Sequence, residues 1–532
     1  MQLKKTGINK EDFFISQLFK NNLNPFLISV LENIPSKLIV LIALLISFNA
    51  IGYSQSDLNS RISIGLESLY NFNFKSSEKI FDKIVKAYPE SPAGYYYKSI
   101  SHLWFFLDSK NEEELDIFIS FSDSAINKAE AVLIKDSTNL FIMYILGSCY
   151  VNRTFAYTRD ENYFDAVLSA RKFHVYFDQI LLIDSLYYDA YTSKGLFNFA
   201  ISQAPQTWSW ALNLAGMTGN KQLGLDYLEL AAKKGNFSKI EAQFYLSQIY
   251  SEFLLKYQSA NNILVNLISR FPKNLLFRFA LANLQVKRYD LINATKNYRT
   301  VYESKDSNMT ELKYFSGMAM GDLLYSKGDY ENARKYFISF LDNATDDHFK
   351  GITALKVGLS HLFEGDSLSA LLYFDIVFKG NEDLDDDVFA RITAERYLNQ
   401  LPSFDELKLI LIKNMIDAGK FKTAIDSLEN FIEENVSDTL RAEAILYLSD
   451  AYYHLNKNKK SLEYAVAVFN FDDCELWVKP YACYYAARAS KELNNIIDAE
   501  FFIGYANNFH NYFYENKLQD KLSFLSFILE EK

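Results

Sequence analysis

The chain has 532 residues, 49% of them apolar and 16% aromatic, with 55 basic against 66 acidic side chains and a net charge of −11. No basic stretch of any length breaks that acidic balance, which argues against nucleic-acid binding through clustered phosphate neutralisation. Gly (19) and Pro (8) are scarce beside Phe (44) and Tyr (37), so long helices packed through large side chains are predicted.

In chain order, residues 1–37 form an amino-terminal extension that is not expected to fold. The run that follows, in "SKLIVLIALLISFNAIGYSQSD" (Ser36 to Asp57), is apolar from Leu38 to Phe48 except for Ser47. Eleven residues are too few for a ~30 Å hydrocarbon core but match the hydrophobic region of an export signal. Residues 38–54 are therefore read as signal and cleavage region, with Gly52 and Ser54 placing the cut at Ser54/Gln55, or else between Ala50 and Gly52. A retained anchor over residues 38–53 and a buried helix stand as alternatives, because a leader of this length before the apolar run is unusual. No cysteine ends the run, which argues against lipid anchoring.

Beyond residue 57 helical periodicity dominates. Gly65, Ser77, Phe81 and Pro89 set the first marks of a repeat. From Tyr95 to Lys234 the helices lengthen, as at Glu112–Leu133 and Tyr163–Leu182, and Gly147 and Gly195 stand 48 apart. Residues 57–235 are read as divergent repeats and 236–515 as a regular array. Within "APQTWSWALNLAGMTGNKQLGLDYLELAAKKG" (Ala204 to Gly235), Trp208, Trp210, Leu212 and Leu214 form an apolar plug where the repeat changes register, or else a membrane-interface segment. "GNKQLG" (Gly219 to Gly224) has the outer glycines of a phosphate loop, but Leu225 and Asp226 replace its Lys and Ser/Thr.

In the regular array Ala260 pairs with Leu264 and Ala294 with Tyr298. Gly321, Gly328, Ala333 and Phe337 return 37 residues on as Gly358, Gly365, Ala370 and Phe374. The glycine ends one helix in a left-handed turn, the alanine lets a second helix approach, and the Phe fills the space beside it. An insertion at 379–404 follows, holding an acidic run and an extra helix. There Asp383, Asp385 and Asp387 alternate like calcium ligands, but Val388 replaces the required glycine and Ala394 the twelfth-position carboxylate, so a solvated loop is expected. Gly419 with Ala424, then Ser461 with Ala465 and Ala499 with Ile503, continue the series. Residues 516–532, "NKLQDKLSFLSFILEE" and its end, have the apolar stripe of a capping helix that partly fills the concave face.

The spacing Gly-twelve-Ala-four-Phe-eight-Pro resembles the tetratricopeptide repeat, a helix–turn–helix of about 34 residues. That resemblance implies an all-α solenoid, a right-handed superhelix of helix pairs. The Ala204–Gly235 pattern, with its "LGLDYLELA", is similar to the Iml2/tetratricopeptide-39-type family, whose members are helical solenoids without an established catalytic site, some associated with membranes or lipid bodies. In the tetratricopeptide family the concave groove takes an extended peptide or a partner's helix. Its register puts Asp322, Tyr325, Lys413, Asp417, Asp450, Tyr453, Arg488 and Lys491 towards that groove, while Leu355, Leu359 and Leu362 make the groove of residues 351–379 apolar.

Chemistry has no signature here. His102, His174, His348, His361, His454 and His510 stand singly, without metal-ligand spacing, and Cys149, Cys474 and Cys483 form neither a disulfide framework nor a zinc set. No catalytic, cofactor-binding or metal-binding residue is assigned, and no cofactor is expected. The reading is a non-catalytic scaffold for protein–protein interaction in the bacterial cell envelope, in the periplasm or at the outer membrane, with a protein or peptide partner in the groove and no nucleic acid. The alternatives are an envelope protein that captures ligands such as glycans, and an Iml2-like protein associated with membranes or lipid.

Overall fold

The structure is a computed structural model that describes residues 55–203, 218–306 and 308–530. The predicted signal region, its cleavage points and the Trp208–Leu214 plug lie outside the described residues. The chain divides into two compact units at Ser60/Arg61, and the account below concerns Arg61–Lys532. Among the described residues there are 24 α-helices and no strand, and no helix is long and apolar enough to cross a membrane.

Twenty-two of the helices run as consecutive antiparallel pairs. They are α1 (Gln55–Tyr70) with α2 (Phe74–Ala87), α3 (Ala93–Ser109) with α4 (Glu112–Leu133), α5 (Leu140–Arg159) with α6 (Tyr163–Ile183), and α7 (Ala190–Ser202) with α8 (Lys221–Lys234). Then come α9 (Lys239–Glu252) with α10 (Tyr257–Arg270), α11 (Leu275–Lys287) with α12 (Leu291–Tyr302), α13 (Thr310–Ser326) with α14 (Tyr330–Asn343), and α15 (Lys350–Phe363) with α16 (Ser367–Ile376). An unpaired α17 (Asp385–Asn399) precedes α18 (Phe404–Asp417) with α19 (Phe421–Glu433), α20 (Asp438–His454) with α21 (Asn458–Ala467), and α22 (Val478–Glu492) with α23 (Ile496–Ala506). The last is α24 (Glu515–Glu530). The result is an all-α solenoid of helix pairs.

The repeat marks have direct physical roles. A Cβ on Gly321 would lie 2.6 Å from the Phe337 ring, and one on Gly358 would lie 2.4 Å from Phe374, so only glycine admits these buried rings. Ala333 and Ala370 are fully buried at the same contacts. Gly328 turns the chain at φ +85°, and Asp329 then caps α14 by accepting from the Asn332 amide. Tyr289, Asn456 and Asn494 take the same left-handed position between α11 and α12, α20 and α21, and α22 and α23. The turn is thus more regular than the glycines that mark it.

Within this unit the solenoid closes on itself after five helix pairs. Asn274 donates to the Tyr70 carbonyl at 2.7 Å, 204 residues away. Asp108, at the end of α3, accepts the Glu311 and Leu312 amides at the start of α13, each at 3.0 Å. Arg159 meets Asp346 at 2.7 Å. Each of these joins one superhelical turn to the next.

Two expectations change. The extra helix expected in the 379–404 insertion is α17, but its acidic run is not a solvated loop: Asp385–Asp387 begin the helix, and Asp387 is buried, accepting the Ile352 amide at 2.8 Å and the Asn381 amide at 3.0 Å. An acidic run that reads as solvated includes one carboxylate satisfied by backbone donors, which no spacing rule reveals. The interior of α24 is also more specific than a terminal cap requires. Leu518, Leu522 and Leu525 pack with Cys483, Tyr484 and Ala487, and the Phe524 ring lies 4.4 Å from Phe253 and 5.9 Å from Phe199.

Candidate functional site

The first helices of the pairs line the inner face, and in the amino-terminal turn they enclose a cavity of about 410 Å³. α3, α5, α7, α9, α11 and the start of α13 all contribute to its wall, which is dominated by aromatic and aliphatic side chains. None of the described residues that line it is Lys, Arg or His, while two, Glu241 and Asp108, carry carboxyls. Burial pushes the Glu241 carboxyl up to about 7, against a hydrogen bond from the Tyr70 hydroxyl and with the help of Asp189. Burial also raises Asp108, to about 6, although the α13 amides oppose it. The Tyr96 hydroxyl pairs with Ser148 on the same wall.

Asp189 itself is structural. It is buried, and one of its oxygens accepts the amides of Asn236 and Phe237 at 2.8 Å and of Ser238 at 2.9 Å, fixing the turn into α9. Nearby, Gly195 on α7 and Gly224 on α8 face each other so closely that a Cβ on either would lie 2.9 Å from the other's carbonyl oxygen. The "LGLDYLELA" segment therefore owes its glycine to helix contact.

The eight predicted groove residues do not share one free surface. Asp322 pairs with Lys356 at 2.6 Å. Tyr325 is only 6% exposed, its ring 5.5 Å from Tyr330 and 6.2 Å from Phe363. Lys491 pairs with its neighbour Glu492 at 2.9 Å. The other five converge across α18, α20 and α22. Lys413 reaches Asp417 at 2.6 Å, and the Arg488 guanidinium lies 3.9 Å from the centre of the Tyr453 ring. Asp450 is 7% exposed, with His454 at 3.3 Å. Burial alone would raise its carboxyl, but the His454 hydrogen bond, Lys413 and Arg488 outweigh burial and hold it below the usual carboxylate range.

That cluster is already occupied from the chain itself. Tyr289 crosses from the α11–α12 turn to put its hydroxyl 3.4 Å from His454 and its ring 4.8 Å from Phe421. Lys521 of α24 sits 5.5 Å from the Tyr484 ring centre. Leu355 and Leu359 are buried and join Tyr325 and Tyr397 in one apolar cluster. The inner face therefore spends much of its chemistry on its own closure.

Beyond the inner face, the described residues include one group with metal-ligand chemistry, Asp346, Asp347 and His348. Its buried member, Asp346, is engaged by Arg159 and by the His348 amide at 3.1 Å. The three cysteines are free, and burial raises the Cys149 and Cys483 thiols to about 12, well away from reactive thiolates. A surface hollow on the outer face of α12, between Ile292, Lys296, Arg299 and Lys327, is lined by exposed side chains.

The outer face also carries something the sequence reading missed. On α6, Phe164 (74% exposed), Leu168 (43%), Val175 (46%) and Leu182 (87%) stand four, then seven, then seven residues apart, which aligns them along one face of the helix. Exposed Ile134 follows the end of α4, and exposed Leu186 lies in the turn after α6. The heptad spacing was legible, but a solenoid's second helices also bury apolar residues at such intervals, so spacing alone did not separate outer from inner.

The family model for Iml2/Tetratricopeptide repeat protein 39 matches residues 190–348. A TPR repeat-containing protein of Methanocaldococcus jannaschii is 27% identical over 224 residues, 41% of this chain and 36% of its own length. The chain thus spans about a third of the curated relative it matches. Among solved structures, a tetratricopeptide repeat protein from Parabacteroides merdae is similar at 14% identity, covering 54% of this chain and 98% of that one with a TM-score of 0.26. The APC/C hetero-tetramer Cut9–Hcn1 is similar at 12% identity, covering 91% and 97%, with a TM-score of 0.25.

Proposed function

We propose that this tetratricopeptide-type helical repeat chain is a non-catalytic scaffold that holds protein partners in the bacterial cell envelope, and that partners dock on the outer face of α6. The exposed apolar stripe from Phe164 to Leu182 carries the reading. Four large side chains aligned over some five helical turns, with Arg171 between them, offer an apolar surface of the kind that marks association sites. Fully burying each contributes roughly 1.5–3 kcal/mol. Arg171 falls within the stripe, between Leu168 and Val175, and Gln179 lies at its edge, so both supply polar contacts beside the apolar side chains. The fitting partner is the apolar face of another protein's helix. The groove residues support this division of labour, since Arg488 lies over the Tyr453 ring, Asp450 pairs with His454, and Tyr289 and Lys521 of α24 reach the same cluster. The envelope location rests on the apolar run Leu38–Phe48 with its small residues.

The test replaces Phe164, Leu168 and Val175 together by serine and recovers the chain from envelope fractions after mild crosslinking. Exposed positions tolerate such changes, so melting is expected to be almost unchanged while the co-purifying proteins are lost. The same set of partners on the native and substituted chains sinks the proposal.

A further inference from the structure

The amino-terminal cavity has no role in that scaffold reading and is argued independently of it. Its volume of about 410 Å³ falls within the ~300–1,000 Å³ range of small-molecule sites. Its wall is largely apolar, with Tyr70, Tyr96 and Tyr245 near Glu241 and Trp104 beside Tyr70. The two carboxyls in the wall differ in what they have left to give. Asp108 already accepts two helix amides across the superhelical seam. Glu241 has the Tyr70 hydroxyl and, among the described residues that line the cavity, no cation. A carboxylate beside aromatic rings, in a wall without Lys, Arg or His, disfavours any anionic ligand by like-charge repulsion and rewards a cation twice, through ion pairing and through the ring faces.

We propose that this cavity is a binding site for a small lipophilic amine, whose ammonium group pairs with Glu241 among Tyr70, Tyr96 and Tyr245 while its hydrocarbon body fills the apolar remainder. Glu241 then does in the complex what it cannot do in the empty cavity, which is to hold its charge fully. Proton uptake by Glu241 below about pH 7 therefore competes with the ligand. The groups that face Glu241 are Tyr70 from α1, Tyr96 and Tyr97 from α3, Tyr144 from α5, Asp189 before α7 and Tyr245 from α9. Asp108, raised to about 6, titrates in part of the same window.

Calorimetric titration of the full chain with phenylbutylamine, phenylbutanol and phenylbutyrate holds the hydrocarbon body constant and changes only the head group. At pH 8 the amine is expected to bind at least tenfold more tightly than the alcohol, with the carboxylate weakest. Glu241→Gln is expected to weaken the amine at least tenfold and leave the alcohol within twofold. Lowering the pH from 8 to 6 weakens the amine five- to tenfold in the native chain, and Glu241→Gln removes most of that dependence, separating Glu241 from Asp108. Leu196→Trp, which fills the cavity, abolishes binding of all three. Equal or tighter binding of the carboxylate, absence of saturable amine binding, or indifference of the amine to Glu241→Gln overturns the proposal. If either variant fails to fold, the head-group ranking and the pH series in the native chain decide alone.

Discussion

Small residues at fixed intervals bear the load of this fold because each is paired with a large one. Gly358 against Phe374 is the clearest case: an added methyl group must displace a fully buried ring. Gly358→Ala is expected to cost about 1–3 kcal/mol in chemical denaturation, the usual range for overpacking. Glu241 works in the opposite sense, as a cost carried at neutral pH. Its folded-state pKa of about 7 lies above the unfolded value, so the folded chain binds the extra proton between them. That contribution to stability is present below pH 4 and lost as the pH rises towards 7. Glu241→Gln should therefore raise the melting temperature at pH 8 and leave it nearly unchanged at pH 4, and an equal shift at both values would show that its effect is steric. The pairing of Gly321 with Phe337 and of Gly358 with Phe374 was legible in the sequence because both partners lie within one repeat. The buried state of Asp387 and the raised Glu241 were not, because their surroundings come from other helices.

At the scale of elements, the pairs are held by the same device throughout, and α24 differs from all of them. It has no partner helix of its own and instead reaches α7, α9 and α22, with Leu518, Leu522, Phe524, Leu525 and Leu529 buried. Lys221 of α8 stacks 4.1 Å from the Phe524 ring centre, so the contact is closed from both sides. Truncation after Tyr514 uncovers Phe199, Phe253 and Leu246 and is expected to lower the melting temperature by several degrees or more, since each lost apolar side chain removes roughly 1.5–3 kcal/mol. Unchanged melting would mean that α24 docks too weakly to matter and is free to serve as a docking element itself. Its amphipathic stripe was readable from Asn516 onward, but its seat was not: nothing local connects Phe524 to a ring 271 residues earlier in the chain.

For the whole solenoid, closure decides which surfaces remain for partners. Helix pairs in series predict an open concave groove, and a periodic sequence contains no mark of where that groove meets itself. Asn274 with Tyr70, Asp108 with α13 and Tyr289 with His454 join residues 165 to 204 positions apart, and each looks like an ordinary polar or aromatic residue in its own repeat. These contacts turn part of the inner face into an interior, with a largely apolar cavity near its amino-terminal end, and leave the α6 stripe as an apolar surface facing outward. Site-specific photo-crosslinking in cells tests that division most directly, with the reactive residue placed at Leu168 on α6 or at Asp417 on the inner face. The account predicts discrete protein adducts from position 168 in the envelope fraction and none from position 417; adducts from 417 alone, or from neither position, would contradict it.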